Sequence, residues 1–444
     1  MFDNLTEQQA VERILSSVKE FYSVYRKSKK DFKPGDSIRI ADRIYDENEL
    51  VNVVDSGLEF WLTAGRFTSQ FENKLKKYLG VNFCGLTNSG SSSNLVAFMA
   101  LTSEVLGERA IRKNDEVITV AAAFPTTVSP IIQAGAIPVF VDIDIETLNI
   151  DVSILESALS PKTKAVFLAH TLGNPFNLNA LRDFCDKNNL WLIEDNCDAL
   201  GAEFQTPSGL KKTGSIGDIG TSSFYPAHHM TTGEGGAVYT NNPLLHKLMM
   251  SFRDWGRDCS CPGGVDNLCG ARFEGQFGEL PKGYDHKYVY SHFGYNLKMT
   301  DMQAAIGAAQ IDKVNGFIQK RRENADYLYN LLKCAEDKFI LPKSETGAIS
   351  SWFGFPLTVR PGGSRAKIVA VLEENKIQTR NLFTGNIINH PCFDAMRKSG
   401  EGYRIIGKLT NTDRSLHDTF WVGVHPGLTR PMLDFMAEVI LGAL

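Results

Sequence analysis

The sequence contains little cysteine, little net charge and no long apolar segment, and each shortage argues against a class of protein. Eight cysteines in 444 residues are too few for a disulfide scaffold, and a local cluster of cysteines in a reducing compartment more often binds a metal. The net charge of −4 comes without a basic stripe, which argues against a nucleic-acid partner. No run approaches the roughly 18 apolar residues of a membrane-spanning helix, so we expect no membrane partner.

The N-terminal segment 1–30 has the apolar periodicity of a helix and carries acidic residues early. A secretory signal would begin with basic residues and continue into an apolar centre, so we expect a cytoplasmic protein. With 43% hydrophobic residues, the chain can bury a sizeable core in two or three domains. We predict an N-terminal helical extension over 1–34, a large cofactor-binding domain over 35–317 and a small C-terminal domain over 318–444.

Apolar runs alternate with helix-like connections between residues 115 and 240. The runs are DEVITVA, AIPVFVDID, KAVFLAH, LWLIEDN and GAVYT, and this alternation predicts an α/β fold with a mostly parallel sheet covered by helices. Ligands of such sheets bind beyond the carboxyl ends of the strands.

Upstream, the segment 46–80 predicts two amphipathic helices around a polar turn at 63–66, which either contacts a ligand or only separates the helices.

Polar residues follow several of these apolar runs. The segment NSGSSSN places Gly90, Ser91 and Ser92 at a helix start, where free N–H groups and the helix dipole suit a phosphate. Serines also cap helices without binding a ligand. Phe124 follows one strand and Asp195 ends another, and a carboxylate in that position either binds a ligand or caps the next helix.

The stretch 221–240, TSSFYPAHHMTTGEGGAVYT, predicts a strand, a tight polar turn with two histidines, and a glycine-rich return into another strand. Its glycines permit backbone angles that other residues resist, so the loop can pass close to a ligand. This favours a binding site over a plain turn.

This loop resembles the cofactor loop of the DegT-type sugar aminotransferases, in which S-F-x-P-x-K precedes a GEGG turn. The resemblance implies the three-layer fold of fold-type-I pyridoxal phosphate enzymes, with a mostly parallel central sheet and a smaller C-terminal α+β domain. His228 replaces the Schiff-base lysine of the family, and we interpret His229 as a packing neighbour. Histidine, with an unperturbed pKa of about 6.5 against about 10.4 for lysine, can accept a proton at pH 7 without tuning by burial.

The same resemblance assigns contacts with the cofactor. They fall on Gly90, Ser91, Ser92, Phe124, Asp195, Asp198, Ser223 and Asn296. In the family the glycine and serines hold the phosphate, the aromatic ring stacks on the cofactor, and the first aspartate pairs with the pyridine nitrogen. Asp198 stands where the family usually has a glutamine near the pyridine hydroxyl. Asn296 is expected to reach the cofactor phosphate of a second subunit, with Lys298 replacing the usual arginine, which implies a homodimer with shared active sites.

A cysteine-rich segment, C-S-C-P-G-G-V-D-N-L-C, places Cys259, Cys261 and Cys269 in one loop. Three thiols in one loop can wrap a metal, and the alternatives are a structural zinc site or unrelated thiols. An all-cysteine 2Fe–2S cluster needs a fourth thiolate, which must come from Cys84, Cys185, Cys197, Cys334 or Cys392. Cys197 is the best candidate, because it lies two residues beyond Asp195 at the active-site end of the same strand.

His228 and the cysteine loop together resemble the nucleotide-sugar 3-dehydrases within this family. The resemblance implies non-covalent pyridoxamine phosphate and loss of the C3 hydroxyl from a nucleotide-linked 4-keto-6-deoxyhexose, CDP-4-keto-6-deoxyglucose. It also implies a 2Fe–2S cluster that passes electrons from a separate flavin/iron–sulfur reductase. The pathway implied is 3,6-dideoxysugar synthesis for the lipopolysaccharide O-antigen.

Two other interpretations remain open. One is a cluster-free 3-dehydratase coupled to glutamate-driven transamination, against which the cysteine loop argues. The other is a non-catalytic relative that binds the cofactor or senses a metal, but retention of Asp195 and Ser223 beside His228 makes decay a poor explanation. In the C-terminal region, Arg380 and His390 are candidates for contacts with the nucleotide sugar, although exposed polar residues near loops often contact nothing specific.

Overall fold

The computed structural model describes residues 2–27, 31–261, 265–268 and 270–444. The helices are α1 Glu7–Tyr25, α2 Glu47–Glu59, α3 Arg66–Leu79, α4 Gly90–Ala100, α5 Pro125–Gln133, α6 Leu155–Ala158, α7 Leu178–Lys187, α8 Pro243–Arg253, α9 Asp301–Gln310, α10 Val314–Leu332, α11 Arg365–Glu374, α12 Asp394–Ser399, α13 Thr410–Asp418 and α14 Arg430–Gly442. The strands are β1 Phe83–Thr87, β2 Glu116–Val120, β3 Ile137–Val141, β4 Thr163–Ala169, β5 Trp191–Asp195, β6 Glu203–Thr206, β7 Gly209–Lys212, β8 Ile219–Ser223, β9 Gly236–Thr240, β10 Phe339–Ile340, β11 Ala348–Ile349, β12 Gly354–Val359, β13 Thr379–Asn381, β14 Arg404–Ile405 and β15 Thr419–Gly423.

The central sheet has the strand order β1-β9-β8-β5-β4-β2-β3-β14 within the described residues. From β8 to β14 all neighbouring strands are parallel, whereas β9 runs antiparallel to both β1 and β8. Long apolar runs suit strands that are covered on both faces, and every residue of β2, β5, β8 and β9 is buried. The prediction of an α/β fold with a mostly parallel sheet is confirmed.

Successive residues of a strand point to opposite faces of a sheet, and here they enter different cores. Val117 and Ile193 pack with α4 and α8. Ile118 and Leu192, their neighbours in sequence, pack with α7 on the other face. The sheet therefore lies between two layers of helices, and only its strand ends are left for polar side chains.

The two helices predicted around the polar turn at 63–66 are present as α2 and α3, and α9 fixes the start of α3. The Asp301 side chain, at the first residue of α9, accepts hydrogen bonds from the backbone N–H groups of Gly65 and Thr68 at 2.9 and 2.7 Å. The first N–H groups of a helix lack backbone carbonyl partners within it, and the Gly65 N–H also donates to Oγ1 of Thr68 at 3.3 Å. A distant carboxylate thus caps a helix that the local sequence starts with glycine.

After the turn that contains Asn296, the chain forms two helices, α9 and α10, which are separated by a 3₁₀ turn, Ile311–Lys313. The turn allows Gln310 and Lys313 to reach the same carboxyl group of Glu49, each at 2.5 Å.

Among the described residues, none of the helices has the length and apolar character that a membrane span requires.

A second sheet, β10-β12-β15-β13, packs with α10, α11 and α14 around a core of its own. The strands β11-β6-β7 form a third sheet, which shares no strand with the central sheet or the second sheet. The segment 318–444 does not stay separate, because β14 pairs with β3 at the edge of the central sheet. The domain boundaries given above stay a prediction.

Packing between α3 and α9 depends on Gly307. A Cβ atom there would lie 2.4 Å from Cε1 of the fully buried Phe71. Alanine favours a helix over glycine by about 1 kcal/mol, but overpacking costs about 1–3 kcal/mol. We therefore expect Gly307→Ala to lower the free energy of unfolding, measured by urea denaturation.

The matched control is Gly316→Ala in α10, where a Cβ atom would meet nothing within 4 Å. That variant should be unchanged or more stable by up to about 1 kcal/mol. An unfolding midpoint for Gly307→Ala at or above that of Gly316→Ala would contradict the packing described.

Candidate active site

A cavity of about 470 Å³ opens at the carboxyl ends of three neighbouring strands. The last residues of β4, β5 and β8, which are Ala169, Asp195 and Ser223, all lie on its wall. Its size is within the range of small-molecule sites, roughly 300–1,000 Å³. The predicted site residues on the wall are Gly90, Ser91, Phe124, Asp195, Cys197, Asp198, Ser223 and His228.

One end of the cavity is formed by the start of α4. Ser89 caps this helix, because its Oγ accepts a hydrogen bond from the Ser92 N–H at 3.1 Å. Ser92 is thus engaged in the cap, while Gly90 and Ser91 face the cavity. A Cβ atom at Gly90 would lie 2.4 Å from Cβ of Ser223, so glycine lets the two segments form a close cradle. The N–H groups and dipole of a helix start favour an anion there.

The carboxylate of Asp195 is held from three sides. One oxygen, Oδ2, accepts hydrogen bonds from Nδ2 of Asn94 at 2.7 Å and Oγ1 of Thr127 at 2.8 Å. The other, Oδ1, accepts one from the Cys197 N–H at 3.2 Å. These three hydrogen bonds fix the side chain at the end of β5, where it could pair with a protonated pyridine nitrogen. Asn94 and Thr127 were missed by the sequence analysis, because nothing local to either residue indicates this distant partner.

Aromatic rings form part of the remaining wall. Phe124 lies half exposed before α5 and meets Phe383 edge-on, with ring centroids 6.2 Å apart. Phe353 and Trp421 lie on the same cavity and contact each other at 5.3 Å. Phe124 is therefore placed where a flat ligand ring could stack on it.

His228 lies in the loop between β8 and β9 and faces the cavity. Its ring lies 5.1 Å from that of Phe353 and 6.4 Å from that of Tyr225. Its Nδ1 atom is 3.4 Å from Oδ1 of Asp198. The Asp198 side chain thus lies beside Nδ1 of the histidine.

Burial, followed by the positive charge of Arg321, lowers the pKa of His228 to about 3. Burial thus favours the neutral imidazole and, by disfavouring the imidazolium, makes His228 a weaker base than an exposed histidine. The unperturbed pKa of histidine, about 6.5, already predicts a largely neutral ring at pH 7. Burial, followed by the negative charge of Asp195, raises the pKa of Asp198 to about 8.

His229 points away from this cavity. It is 2% exposed, and its Nε2 contacts the carbonyl oxygen of Ser351 at 2.7 Å. His390 also lies elsewhere, on a separate cavity with Cys392, whereas Arg380 is on the wall of the cavity that contains His228. Of the two C-terminal candidates, only Arg380 is therefore placed near the site.

Asn296 lies outside the cavity of its own chain. Its Oδ1 accepts a hydrogen bond from Lys298 at 2.7 Å, and the Lys298 ammonium lies 3.5 Å from the Trp255 ring. A role for Asn296 at the cofactor would therefore require a second subunit, as the resemblance implied.

The structure does not support the predicted four-cysteine cluster. Cys197 lies on the cavity with His228, whereas Cys259 and Cys261 lie on a different cavity beside Cys84. In the part of the chain that the structure describes, no group of three His, Cys, Asp or Glu side chains is arranged to hold a metal. Cys269 lies outside the described residues. Sequence separation alone does not determine which thiols line the same cavity.

The cavity fits a pyridoxal- or pyridoxamine-type phosphate. The helix start suits the phosphate, Phe124 suits the ring, and the hydrogen-bonded Asp195 suits a pyridine nitrogen. Oδ2 of Asp198 and Nδ1 of His228 are buried without a hydrogen-bond partner among the described residues. Buried polar atoms normally have partners, so this wall is suited to a polar ligand.

Comparison with known proteins agrees with this geometry. The model of the DegT/DnrJ/EryC1/StrS aminotransferase family matches residues 43–440. The lipopolysaccharide biosynthesis protein RfbH of Salmonella typhimurium is 51% identical, and the match covers 98% of this chain and 97% of that protein. The dTDP-4-dehydro-2,6-dideoxy-D-glucose 3-dehydratase of Saccharopolyspora spinosa is 44% identical, with 97% and 91% covered.

A solved structure is similar over the same length. It is GDP-4-keto-6-deoxymannose-3-dehydratase with a trapped PLP–glutamate geminal diamine, which is 27% identical with a TM-score of 0.79. The match covers 91% of this chain and all of that one, 100%. Similarity to nucleotide-sugar 3-dehydratases thus extends over nearly the whole chain.

The cradle between Gly90 and Ser223 generates a prediction about cofactor binding. In Gly90→Ala, the new methyl group must displace Ser223 or the start of α4, so affinity for pyridoxamine phosphate should fall at least about tenfold. The change is measured by titrating purified protein with the cofactor. Gly316→Ala is the control, and equal affinities in the two variants would show that the cradle does not bind the phosphate.

Proposed function

The chain belongs to the DegT/DnrJ/EryC1/StrS aminotransferase family, and from this we propose that it is a nucleotide-sugar 3-dehydratase with a non-covalently bound pyridoxamine or pyridoxal phosphate. The single observation that carries the proposal is the buried His228, which faces the same cavity as Asp195 and which the resemblance assigns to the position of the family's lysine. Relatives whose names state this reaction support it.

The cofactor, when bound, supplies an amine for the 4-keto group and a ring that accepts electrons. The protein supplies His228 as the base, because a neutral imidazole on the wall of the cavity can take a proton. Asp195 supplies the negative charge for the pyridine nitrogen. A histidine cannot form the covalent link that lysine forms, so the cofactor stays exchangeable.

Glutamate is the amine donor that we favour for restoring the cofactor after dehydration. The solved 3-dehydratase with trapped PLP–glutamate supports this route, and so does the placement of Cys197 away from Cys259 and Cys261. The cluster-free interpretation is therefore better supported than the one with a cluster.

Reductive deoxygenation through a 2Fe–2S cluster and a separate flavin/iron–sulfur reductase is a second candidate, and one observation favours it. The Cys261 N–H donates a hydrogen bond to Sγ of Cys259 at 3.4 Å, and hydrogen bonds to sulfur ligands are a feature of such clusters. Cys269, which completes the C-x-C-x7-C spacing, lies outside the described residues. In this candidate Cys197 remains the proposed fourth ligand.

The substrate that we propose is a nucleotide-linked 4-keto-6-deoxyhexose, with CDP-4-keto-6-deoxyglucose as the specific candidate. The names of the relatives contain dTDP and GDP, so the choice of CDP rests on the resemblance alone. The Salmonella relative supports a role in lipopolysaccharide biosynthesis. We also propose a cytoplasmic homodimer in which Asn296 of each chain completes the site of the other.

His228 is tested by replacement with asparagine. His228→Asn should bind pyridoxamine phosphate as the wild type does, but lose substrate-dependent exchange of the cofactor's methylene proton by about 10²–10⁴-fold. Exchange is measured as solvent deuterium incorporation with CDP-4-keto-6-deoxyglucose, and with the dTDP and GDP compounds in parallel. His229→Gln is the control and should retain exchange. Wild-type exchange in His228→Asn would exclude His228 as the base.

The route after dehydration is tested on anaerobically purified protein. We expect iron and acid-labile sulfide to be absent, multiple turnovers to require glutamate, and Cys261→Ser to match the wild type. Cys334→Ser, at an exposed cysteine, is the control. Iron and sulfide that disappear in Cys261→Ser but persist in Cys334→Ser would refute the glutamate route and establish the second candidate.

A further inference from the structure

Arg321, in α10, is one of the largest fully buried side chains among the described residues, at 2% exposure. Burying a charge is costly unless it is paired and hydrogen-bonded. In the described part of the chain, the four hydrogen bonds of its guanidinium all go to backbone carbonyl groups. Its Nε atom makes none with the described residues. The segments that supply these carbonyl groups therefore indicate which parts of the backbone Arg321 holds in place.

The carbonyl groups belong to two segments. Nη2 donates to Ala227 and His228 at 3.2 and 3.1 Å, in the loop that holds the proposed base. Nη1 donates to Trp352 and Phe353 at 3.4 and 3.0 Å, in the segment that leads into β12. One planar side chain thus links the backbone of the histidine to the backbone of a second segment.

Side-chain contacts join the same two segments. The Phe353 ring lies 5.1 Å from the His228 ring and 5.9 Å from the Arg321 guanidinium carbon. The histidine ring therefore packs on an aromatic ring whose backbone is held by the same arginine. Movement of the guanidinium would displace both the base and the ring behind it.

The helix that carries Arg321 is itself well fixed. Ile318, one turn before, packs in the core formed by α3 and α9, whereas Ala325, one turn after, packs in the core of the second sheet. Arg321 thus lies where the two cores meet. Its charge also contributes to the lowered pKa of His228, in keeping with a neutral base.

We infer that Arg321 is a positioning residue for proton transfer, which holds the backbones of His228 and Phe353 in one frame and so sets the imidazole against the cofactor cavity. The inference rests on the proposed role of His228. Arg321 acts through the histidine, because its four bonds are to backbone atoms and it is absent from the wall of the cavity.

The next residue, Arg322, provides a matched control. Its Nε donates to the Ser350 carbonyl at 2.9 Å and its Nη2 to the Gly201 carbonyl at 3.0 Å. It therefore makes the same kind of contacts from the same helix, without touching the loop of His228. A purely structural role for Arg321 predicts similar effects for the two substitutions.

The experiment compares methylene-proton exchange in Arg321→Met and Arg322→Met. We expect kcat for exchange to fall about 100-fold in Arg321→Met, with KM and cofactor affinity changed less than about threefold, because misplacing a reacting group by about 1 Å has that effect. Arg322→Met should stay within about threefold of the wild type. Added guanidinium ion should partly restore exchange in Arg321→Met alone.

Equal kcat values in the two variants, or a loss confined to KM or cofactor affinity, would overturn the inference. Should Arg321→Met fail to fold, the pair Arg321→Lys and Arg322→Lys decides by the same criteria, because lysine keeps the charge but not the planar set of donors. Wild-type protein and His228→Asn are assayed alongside. Absence of exchange in the wild type would refute the proposed function, whereas exchange that is lost only in His228→Asn would refute the role of Arg321 alone.

Discussion

The hydrogen bonds to the carboxylate of Asp195 are the interactions on which the rest of the site depends. Asn94 is in α4 and Thr127 is in α5, so this one group ties two helices to the end of β5. The same two helices position the other parts of the site, because α4 begins at the anion cradle and α5 begins after Phe124. Fixing the carboxylate therefore also fixes the distances among the start of α4, Phe124 and Asp195, which are the proposed contacts for the phosphate, the ring face and the pyridine nitrogen.

The buried guanidinium of Arg321 explains why a histidine suits this position. Arg321 donates a hydrogen bond to the His228 carbonyl, and Nδ1 of the histidine ring lies 3.4 Å from Oδ1 of Asp198. An unlinked lysine, with an ordinary pKa of about 10.4, would place a second positive charge beside the buried guanidinium. Imidazole avoids this conflict, because burial and the nearby arginine favour its neutral form. The same environment that would oppose a free lysine thus keeps the histidine in its neutral form.

Structural features that depend on local sequence patterns could be predicted from the sequence. Features that depend on contacts between residues distant in sequence could not. Apolar alternation identified β2, β3, β4, β5 and β9, and resemblance to a family pointed to Asp195, Ser223 and His228 on one cavity. The sequence did not reveal the break at Ile311–Lys313. At this break Gln310 and Lys313 contact Glu49, which lies in α2 and is distant in sequence. Asn94 and Arg321 were missed for the same reason, since their partners are distant in sequence. The metal prediction used the spacing of the cysteines in the sequence, which does not determine whether two loops line the same cavity.

The central sheet and the second sheet both contribute residues to the wall of the cavity. This arrangement affects how the binding energy of a substrate can be used. Arg380 and Asn381 of β13 and Trp421 of β15 lie on its wall opposite the parts supplied by α4 and β5. Phe353, which precedes β12 in the same sheet, contacts His228. A nucleotide held by Arg380 would therefore bind to the same unit whose backbone Arg321 connects to His228, the proposed base. In the proposed reaction, contacts with the remote, unreactive part of the substrate would stabilise the arrangement for proton transfer, which is how binding energy contributes to the rate.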